Sequence, residues 1–166
     1  MVIFLKGLYI HIPFCKSKCC YCDFYSVKFS DKLADEYLSA LIDKLNNIDD
    51  SFDTVYIGGG TPSYFGGERI AKILEFVKYT NDAEITMECN PADASENLFK
   101  TIYKAGVNRL SIGLQSANND ELNFLTRRHN AEDVESAISL AKKVGFKNIS
   151  LDVMLGLLNQ TEDSLI

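Results

Sequence analysis

The residues most suited to chemistry are cysteines, because four of the five in the chain fall within Cys15 to Cys22. Cys15, Cys19 and Cys22 have the spacing Cys-x3-Cys-x2-Cys, so their thiolates can ligate three corners of a cubane [4Fe–4S] cluster. The fourth iron is then left without a protein ligand, which is the open position that a catalytic metal site needs. The spacing therefore predicts an open iron–sulfur centre.

Other interpretations of the cysteine segment stay open at this point. In a helix, residues 15, 19 and 22 would share one face as buried thiols, although Pro13 and the charged residues favour a loop. A structural zinc site would need His11 or Cys20 as a fourth ligand, and a histidine in an alternating strand is more often packed or hydrogen-bonded. A disulfide framework is disfavoured because nothing indicates secretion.

Composition restricts the class of protein. The chain has 166 residues, 46% of them hydrophobic, and a net charge of −6, which is ordinary for one globular domain. No basic run exceeds two residues, which gives no support to a nucleic-acid partner. No segment approaches the roughly 20 apolar residues of a membrane span. The N-terminus lacks signal-peptide features, so we expect a cytoplasmic protein.

Short β-branched segments alternate with longer amphipathic ones. The predicted strands are Leu8–Ile12, Thr54–Ile57, Glu84–Glu88, Arg109–Ile112 and Asn148–Val153. The predicted helices are Asp31–Ile48, Glu68–Tyr79, Ser95–Lys104 and Ala131–Val144, with Ser30 or Asp31 as the first N-cap and Gly106 and Gly145 as helix ends. This alternation predicts an α/β fold with a parallel sheet and helices outside it.

The fifth βα unit has barely begun its helix at Ile166. A parallel edge strand left open there is unusual for a finished domain. We therefore expect residues 1–166 to be one core domain that is truncated.

Polar and glycine-rich segments follow the predicted strands. Gly58-Gly59-Gly60-Thr61-Pro62 ends the second strand, and glycine lets the backbone approach a ligand closely. The run could equally be a loop with unusual dihedral angles, and Pro62 and Ser63 break the spacing of a dinucleotide fingerprint. Parallel βα folds build their sites at the carboxyl ends of their strands, so residues that follow several strands predict one shared site.

The sequence Leu8-Tyr9-Ile10-His11-Ile12-Pro13-Phe14-Cys15, continued through Cys19, Tyr21 and Cys22 to Asp23-Phe24, resembles a known family. It is similar to the radical-SAM core of the coproporphyrinogen III dehydrogenase and haem chaperone family. The resemblance implies a partial (β/α) barrel of about six βα units, five of which are present. It also implies a [4Fe–4S] cluster whose open iron is chelated by S-adenosylmethionine (SAM), which the reduced cluster splits.

The resemblance extends from about Leu8 to Thr161 and implies roles for individual residues. Cys20 and Cys89 do not match ligands, and we interpret both as small hydrophobic residues. Leu158 replaces a proline of the family's Gly-Leu-Pro-x-Gln-Thr turn, which should loosen that turn slightly. Arg127 could otherwise be a helix-face residue, Glu88 a rim charge and Asp152 a cap or ion-pair partner. The implied SAM contacts are Gly59, Gly60, Thr61, Glu88, Gln115, Arg127 and Asp152, with Tyr9 and Tyr21 flanking cluster and cofactor.

Two functions from different classes fit this resemblance. The resemblance implies a further cysteine in the dehydrogenase branch, two positions after the last ligand, where this chain has Phe24. The sequence is therefore more similar to the haem chaperone branch. The full-length parent would then bind haem and deliver it to apo-haemoproteins, with an electron donor reducing the cluster. The alternatives are coproporphyrinogen III oxidative decarboxylation or another radical-SAM oxidation. Neither a porphyrin pocket nor a haem ligand can be identified in residues 1–166.

Overall fold

A computed structural model describes residues 5–158 and 160–162. Its main element is a five-stranded sheet in the order β1-β4-β5-β6-β7, with every neighbouring pair parallel. The strands are β1 (Gly7–Ile12), β4 (Phe52–Gly59), β5 (Tyr79–Cys89), β6 (Arg109–Gln115) and β7 (Asn148–Val153). Two short strands, β2 (Phe14–Cys15) and β3 (Val27–Lys28), pair with each other at the two ends of the cysteine segment.

Helices connect successive strands of the sheet. They are α1 (Asp31–Leu45), α2 (Pro62–Phe65), α3 (Gly67–Leu74), α4 (Glu96–Lys104), α5 (Asn119–Phe124) and α6 (Ala131–Val144), with a 3₁₀ turn at Pro91–Asp93. Helix α1 packs on α3, α3 on α4, and α4 on α6, in the order of the strands that they connect. The α/β class predicted from the sequence is confirmed.

The core lies between the sheet and this helical layer. The strands contribute β-branched and long aliphatic side chains such as Ile57, Ile85 and Ile112, and the helices contribute Ile73 and Ile102, all fully buried. Burial of such side chains is the main favourable term in folding, at about 1.5–3 kcal/mol each. The buried core therefore holds the strand ends in fixed relative positions.

Local sequence signals explain most helix ends. Ser30 Oγ accepts a hydrogen bond from Leu33 N at 3.3 Å, so Ser30 is the N-cap of α1 as predicted. Asn130 and Asp133 form a reciprocal capping box at the start of α6. Gly145 ends α6 with φ +125°, a backbone region that glycine adopts without strain.

Two predicted helix ends were wrong. Helix α3 stops at Leu74, and Tyr79 instead begins β5. Lys78 O accepts a hydrogen bond from Phe52 N at 3.0 Å, so pairing with β4 takes precedence over the helical spacing of Val77. Helix α1 ends at Leu45, although Ile48 still packs against the core. Helices α2 and α5 and the two short strands were not predicted from the sequence.

None of the helices in the described part of the chain is long and apolar enough to cross a membrane.

Candidate functional site

The candidate residues lie at the carboxyl ends of the parallel strands. The register aligns Ile12 of β1 with Gly59 of β4, and Glu88 of β5 with Ser111 of β6. The cysteine segment follows β1 directly and crosses the same edge of the sheet. Residues distant in sequence are thereby brought together, as the strand-end positions predicted.

Two cavities open at this edge. The larger, of about 260 Å³, is lined by Tyr21, Cys22, Phe24, Asn90 and the predicted SAM contacts Gly59, Gly60, Thr61, Glu88, Gln115, Arg127 and Asp152. The smaller, of about 60 Å³, is lined by all three predicted cluster ligands, Cys15, Cys19 and Cys22. Six residues line both cavities: Tyr21, Cys22, Gly60, Thr61, Asn90 and Arg127. Tyr9 is the one predicted contact that lines neither cavity.

The cysteine thiols contact the surrounding strand ends. Thr61 Oγ1 donates to Cys15 Sγ at 3.4 Å, and Arg127 Nη1 donates to Cys19 Sγ at 3.7 Å. Cys22 N donates to Cys19 O at 3.2 Å, which closes a turn rather than a helix through the last two predicted ligands. All five cysteines are free thiols.

The chemistry of this segment fits an iron–sulfur cluster. Cysteine thiolates are the usual ligands of such clusters, and a guanidinium at Cys19 can offset part of their negative charge. Arg127 Nε is buried and has no hydrogen-bond partner among residues 5–158 and 160–162. Those residues also include no group of three or more His, Cys, Asp or Glu side chains arranged for a metal ion. The cluster assignment therefore depends on the cysteine spacing, on the cavity that the three cysteines line together, and on the resemblance of the sequence to radical-SAM proteins.

Arg127 connects the two cavities. Besides Cys19, its Nη1 donates to Tyr21 Oη at 3.3 Å, and its Nη2 donates to Gly113 O at 3.0 Å. A Cβ added to Gly113 would lie 2.9 Å from Nη2, so a side chain there would displace the guanidinium. Tyr21 in turn donates to Gln115 Oε1 at 3.1 Å, and burial raises the pKa of the tyrosine. Arg127, Tyr21 and Gln115 thus form one continuous polar wall.

Each glycine of the run leaves room for a neighbouring part of the protein. A Cβ at Gly58 would lie 2.8 Å from Glu88 Oε1, and one at Gly59 would lie 2.6 Å from the His11 ring. At Gly60 the nearest atom is Phe14 O at 2.8 Å, beside the Gly60 N–H bond to Ile12 O at 2.7 Å. Close packing within the chain therefore requires these glycines, independently of any ligand.

Glu88 has polar partners but stays largely shielded from water. Gly59 N donates to Glu88 Oε2 at 3.1 Å, and Tyr56 Oη donates to Oε1 at 3.0 Å. Burial raises the pKa of Glu88, and these two hydrogen bonds offset the rise only in part. Burial and the nearby carboxylate also raise the pKa of Tyr56 to about 12, so the phenol stays a donor. Asp152 lies on β7 and accepts from Ser111 Oγ at 2.9 Å.

Tyr9 and His11 form a separate polar group beside the larger cavity. His11 Nε2 lies 3.0 Å from Tyr25 O, and its Nδ1 lies 3.2 Å from Tyr9 Oη. Because a carbonyl only accepts, Nε2 is the protonated donor to Tyr25 O, and in the neutral ring Nδ1 is then the acceptor for Tyr9 Oη. The expectation of a hydrogen-bonded histidine is confirmed, and Tyr9 stacks on Tyr56 at a centroid distance of 6.0 Å.

The two remaining cysteines differ from each other. Cys89 is buried, and burial raises the pKa of its thiol to about 12, which confirms its interpretation as a small hydrophobic residue. The same interpretation of Cys20 is wrong, because Cys20 is exposed. Its N–H donates to Thr126 Oγ1 at 3.1 Å and its Sγ donates to Phe124 O at 3.4 Å. Cys20 therefore docks the cysteine segment onto the end of α5.

Two supporting features of the site were not predicted from the sequence. Thr126, whose hydroxyl accepts a hydrogen bond from Cys20 N, has a left-handed backbone conformation at φ +56°. Gln115 has the same rare conformation at φ +67°. Such strain in residues other than glycine concentrates at functional sites. Arg128 forms a bidentate ion pair with Asp93 at 2.9 and 2.8 Å beside the smaller cavity. Asn118, which caps α5 through Asp120 N, was the available signal for that helix.

The fold and the cysteine segment define a class, and comparison with known proteins supports it. The model of the radical SAM superfamily matches residues 9–166, so the chain belongs to that superfamily. Membership implies a [4Fe–4S] cluster and SAM as cofactors.

Curated relatives are more specific. The chain is 43% identical to "Heme chaperone HemW" of Haemophilus influenzae over 169 residues, covering 93% of this chain and 44% of the relative. It is 40% identical to the protein of that name from Bacillus subtilis, covering 95% of this chain and 44% of the relative. The chain therefore spans less than half the length of these relatives.

A solved structure is similar in both fold and sequence. Coproporphyrinogen III oxidase (HemN) from Escherichia coli, described as a radical SAM enzyme, superposes with a TM-score of 0.85 at 27% identity. The match covers 96% of this chain and 40% of HemN. It confirms the fold predicted from the sequence.

Proposed function

We propose that this chain is the cofactor-binding core of a haem chaperone-like protein, with Cys15, Cys19 and Cys22 as ligands of a [4Fe–4S] cluster. The observation that carries the proposal is the shared wall between the cavity of the three cysteines and the larger polar cavity. A cluster with one open iron would supply one-electron chemistry to SAM bound beside it. The chain's own residues then bind and orient that cofactor.

The distribution of charge suits SAM, which carries an ammonium, a carboxylate, a sulfonium and ribose hydroxyls. Glu88 and Asp152 line only the larger cavity and supply acceptors for cationic groups or hydroxyls. Arg127 lies at the junction of the two cavities and supplies a cation for a carboxylate. Gln115 and Tyr21 add neutral polar groups to the same wall. The carboxylate of the amino acid end would therefore lie beside Arg127, at the junction with the cysteine cavity.

The ligand assignment is tested by alanine variants after anaerobic reconstitution with iron and sulfide. Wild type should contain about four irons per chain, as expected for a cubane. Cys15→Ala, Cys19→Ala and Cys22→Ala should each lose the cluster. Cys20→Ala and Cys89→Ala are the matched controls and should keep it, because Cys20 contacts Phe124 and Cys89 is buried in the core. Loss of the cluster in Cys20→Ala alone would contradict the assignment.

The haem part of the proposal rests on the HemW relatives and on Phe24. Phe24 lines the larger cavity and has 67% of its surface exposed. The resemblance implies a cysteine at this position in the dehydrogenase branch. A protein of the relatives' length that contains this sequence should bind haem and transfer it to an apo-haemoprotein. It should not convert coproporphyrinogen III to protoporphyrinogen IX.

The second candidate is coproporphyrinogen III oxidation, favoured by the similarity to HemN at a TM-score of 0.85. An anaerobic assay with SAM and a reductant distinguishes the two functions. Product formed by wild type would establish the second candidate and overturn the first. Phe24→Cys should not create this activity, because a substrate pocket would also be required.

A further inference from the structure

Asn90 lies at the junction of the two cavities. It follows the last residue of β5 directly and lines both the cysteine cavity and the larger polar cavity. Its position is therefore comparable to that of Arg127, which also lines both. Neither the sequence motifs nor the proposed cofactor contacts assign Asn90 a role.

The backbone N–H, the backbone carbonyl and the side-chain oxygen of Asn90 are each hydrogen-bonded within the chain. Its N–H donates to Ser63 Oγ at 3.0 Å, and its carbonyl accepts from Asp93 N at 2.9 Å. Its side-chain Oδ1 accepts from Ala92 N at 3.0 Å and so caps the 3₁₀ turn. Because a backbone N–H can only donate, this bond fixes which side-chain atom is the oxygen.

The side-chain nitrogen is the exception. Asn90 Nδ2 makes no hydrogen bond within the described ranges. The buried side-chain atoms without a partner there are Arg127 Nε and His129 Nδ1, so Asn90 Nδ2 is accessible to solvent. The capped geometry holds the amide in one orientation. Asn90, a residue that lines both cavities, therefore keeps two N–H donors in a fixed orientation, at no further cost in side-chain entropy.

Charge at the junction favours an anionic oxygen as the acceptor. The residues lining the smaller cavity include no acidic residue and two cations, Lys18 and Arg127, besides Arg128, which is paired with Asp93. Glu88 and Asp152 line only the larger cavity. We propose that Asn90 donates a hydrogen bond from Nδ2 to the carboxylate of SAM. This inference rests on the proposed SAM site and adds to it a binding residue that discriminates in favour of the carboxylate.

Two substitutions separate this role from helix capping. Asn90→Ser and Asn90→Asp both keep a side-chain oxygen that can cap Ala92 N, and both remove the amide donors. Cluster content and melting temperature should stay at wild-type values in each. The dissociation constant for SAM, measured by equilibrium dialysis of the cluster-loaded protein, should rise about tenfold to a hundredfold in Asn90→Ser. It should rise further in Asn90→Asp, which adds a negative charge.

Decarboxylated SAM identifies the group that Asn90 contacts. Wild type should bind this analogue more weakly than SAM, and Asn90→Ser should cause no further loss, because the acceptor is already missing. Asn97→Ser, on the exposed face of α4, is the matched control and should bind both ligands as wild type does.

Each outcome decides the proposal. Equal weakening of SAM and the analogue in Asn90→Ser would overturn the carboxylate contact. Wild-type affinity for SAM in both Asn90 variants would overturn it while leaving the SAM site intact. Failure of wild type itself to bind SAM would instead overturn the proposed function and this inference together. If Asn90→Ser does not fold, Asn90→Thr, which keeps a neutral capping hydroxyl and also lacks the amide donors, gives the same decision.

Discussion

At the scale of single residues, Glu88 is a carboxylate that folding places partly out of water. Its pKa is raised by burial, with the hydrogen bonds from Tyr56 and Gly59 only partly offsetting this. A raised pKa in the folded state means that the native protein binds the proton more readily than the unfolded chain. The contribution of Glu88 to stability is therefore fully present below its unfolded pKa and is lost as pH rises through its folded pKa.

The direction of this pKa shift can be tested by substituting Glu88. In Glu88→Gln the loss of stability with rising pH should disappear, so the variant should gain relative to wild type as pH rises from the ordinary glutamate range through the raised pKa of Glu88. The difference in melting temperature should change by a few degrees in favour of the variant. Glu84→Gln, on the same strand and exposed, controls for removing one negative charge. A difference that does not vary with pH would contradict the account of Glu88.

The residue scale also shows what sequence alone could supply. The spacing of the cysteines and the polar residues at strand ends predicted members of one site, and the cavities include all of them except Tyr9. Thr126 and Asp93 were missed because their partners, Cys20 and Arg128, lie far away in the sequence. The pairing of Cys20 with Thr126, 106 residues away, has no local signature.

At the scale of elements, the sheet was predictable because short β-branched segments alternate with longer amphipathic ones along the chain. The predicted core of every main strand lies within its observed bounds, and Asn148–Val153 matches at both ends. The four-residue helix α2 and the six-residue α5 were missed, since elements so short carry little periodicity. The extension of β5 back to Tyr79 depends on pairing with β4, which local spacing does not encode.

The junction of β1 and β4 gives an element-scale prediction. Gly60→Ala would place a Cβ 2.8–2.9 Å from the backbone of Ile12 and Phe14, which cannot move without breaking the strand ends. We expect a loss of stability of about 1–3 kcal/mol, as for other overpacked sites. Urea denaturation of the two proteins measures it.

Gly67→Ala is the matched control. Its Cβ would meet only side chains, Leu98 and Thr101 at 3.2–3.4 Å, and alanine is favoured within helix α3. This variant should be close to wild type in stability. Equal effects of the two substitutions would show that backbone crowding at Gly60 is not what requires glycine there.

At the scale of the whole molecule, the sheet has β7 at one edge. Leu151 and Val153 of β7 are 40% and 51% exposed, and Leu155 and Leu158 beyond it are 74% and 69% exposed. An exposed apolar edge strand is a liability that proteins normally cover. We propose that a further βα unit covers this edge in a longer chain.

A chain extended through one more βα unit should therefore melt at a higher temperature than the 166-residue chain. The amide protons of β7 that point outward should exchange more slowly in the longer protein, because a neighbouring strand would accept their hydrogen bonds. Equal melting temperatures and equal exchange rates would show that the edge needs no such cover.

The central claim is that the cysteine cavity and the polar cavity together hold a cluster and SAM in contact. The most direct measurement is the electron paramagnetic resonance spectrum of the reconstituted, reduced protein, recorded without and with saturating SAM. The account predicts a changed spectrum, because SAM would ligate the open iron, and predicts a weaker change in Asp152→Ala with the cluster retained. An identical wild-type spectrum in the two samples would contradict it.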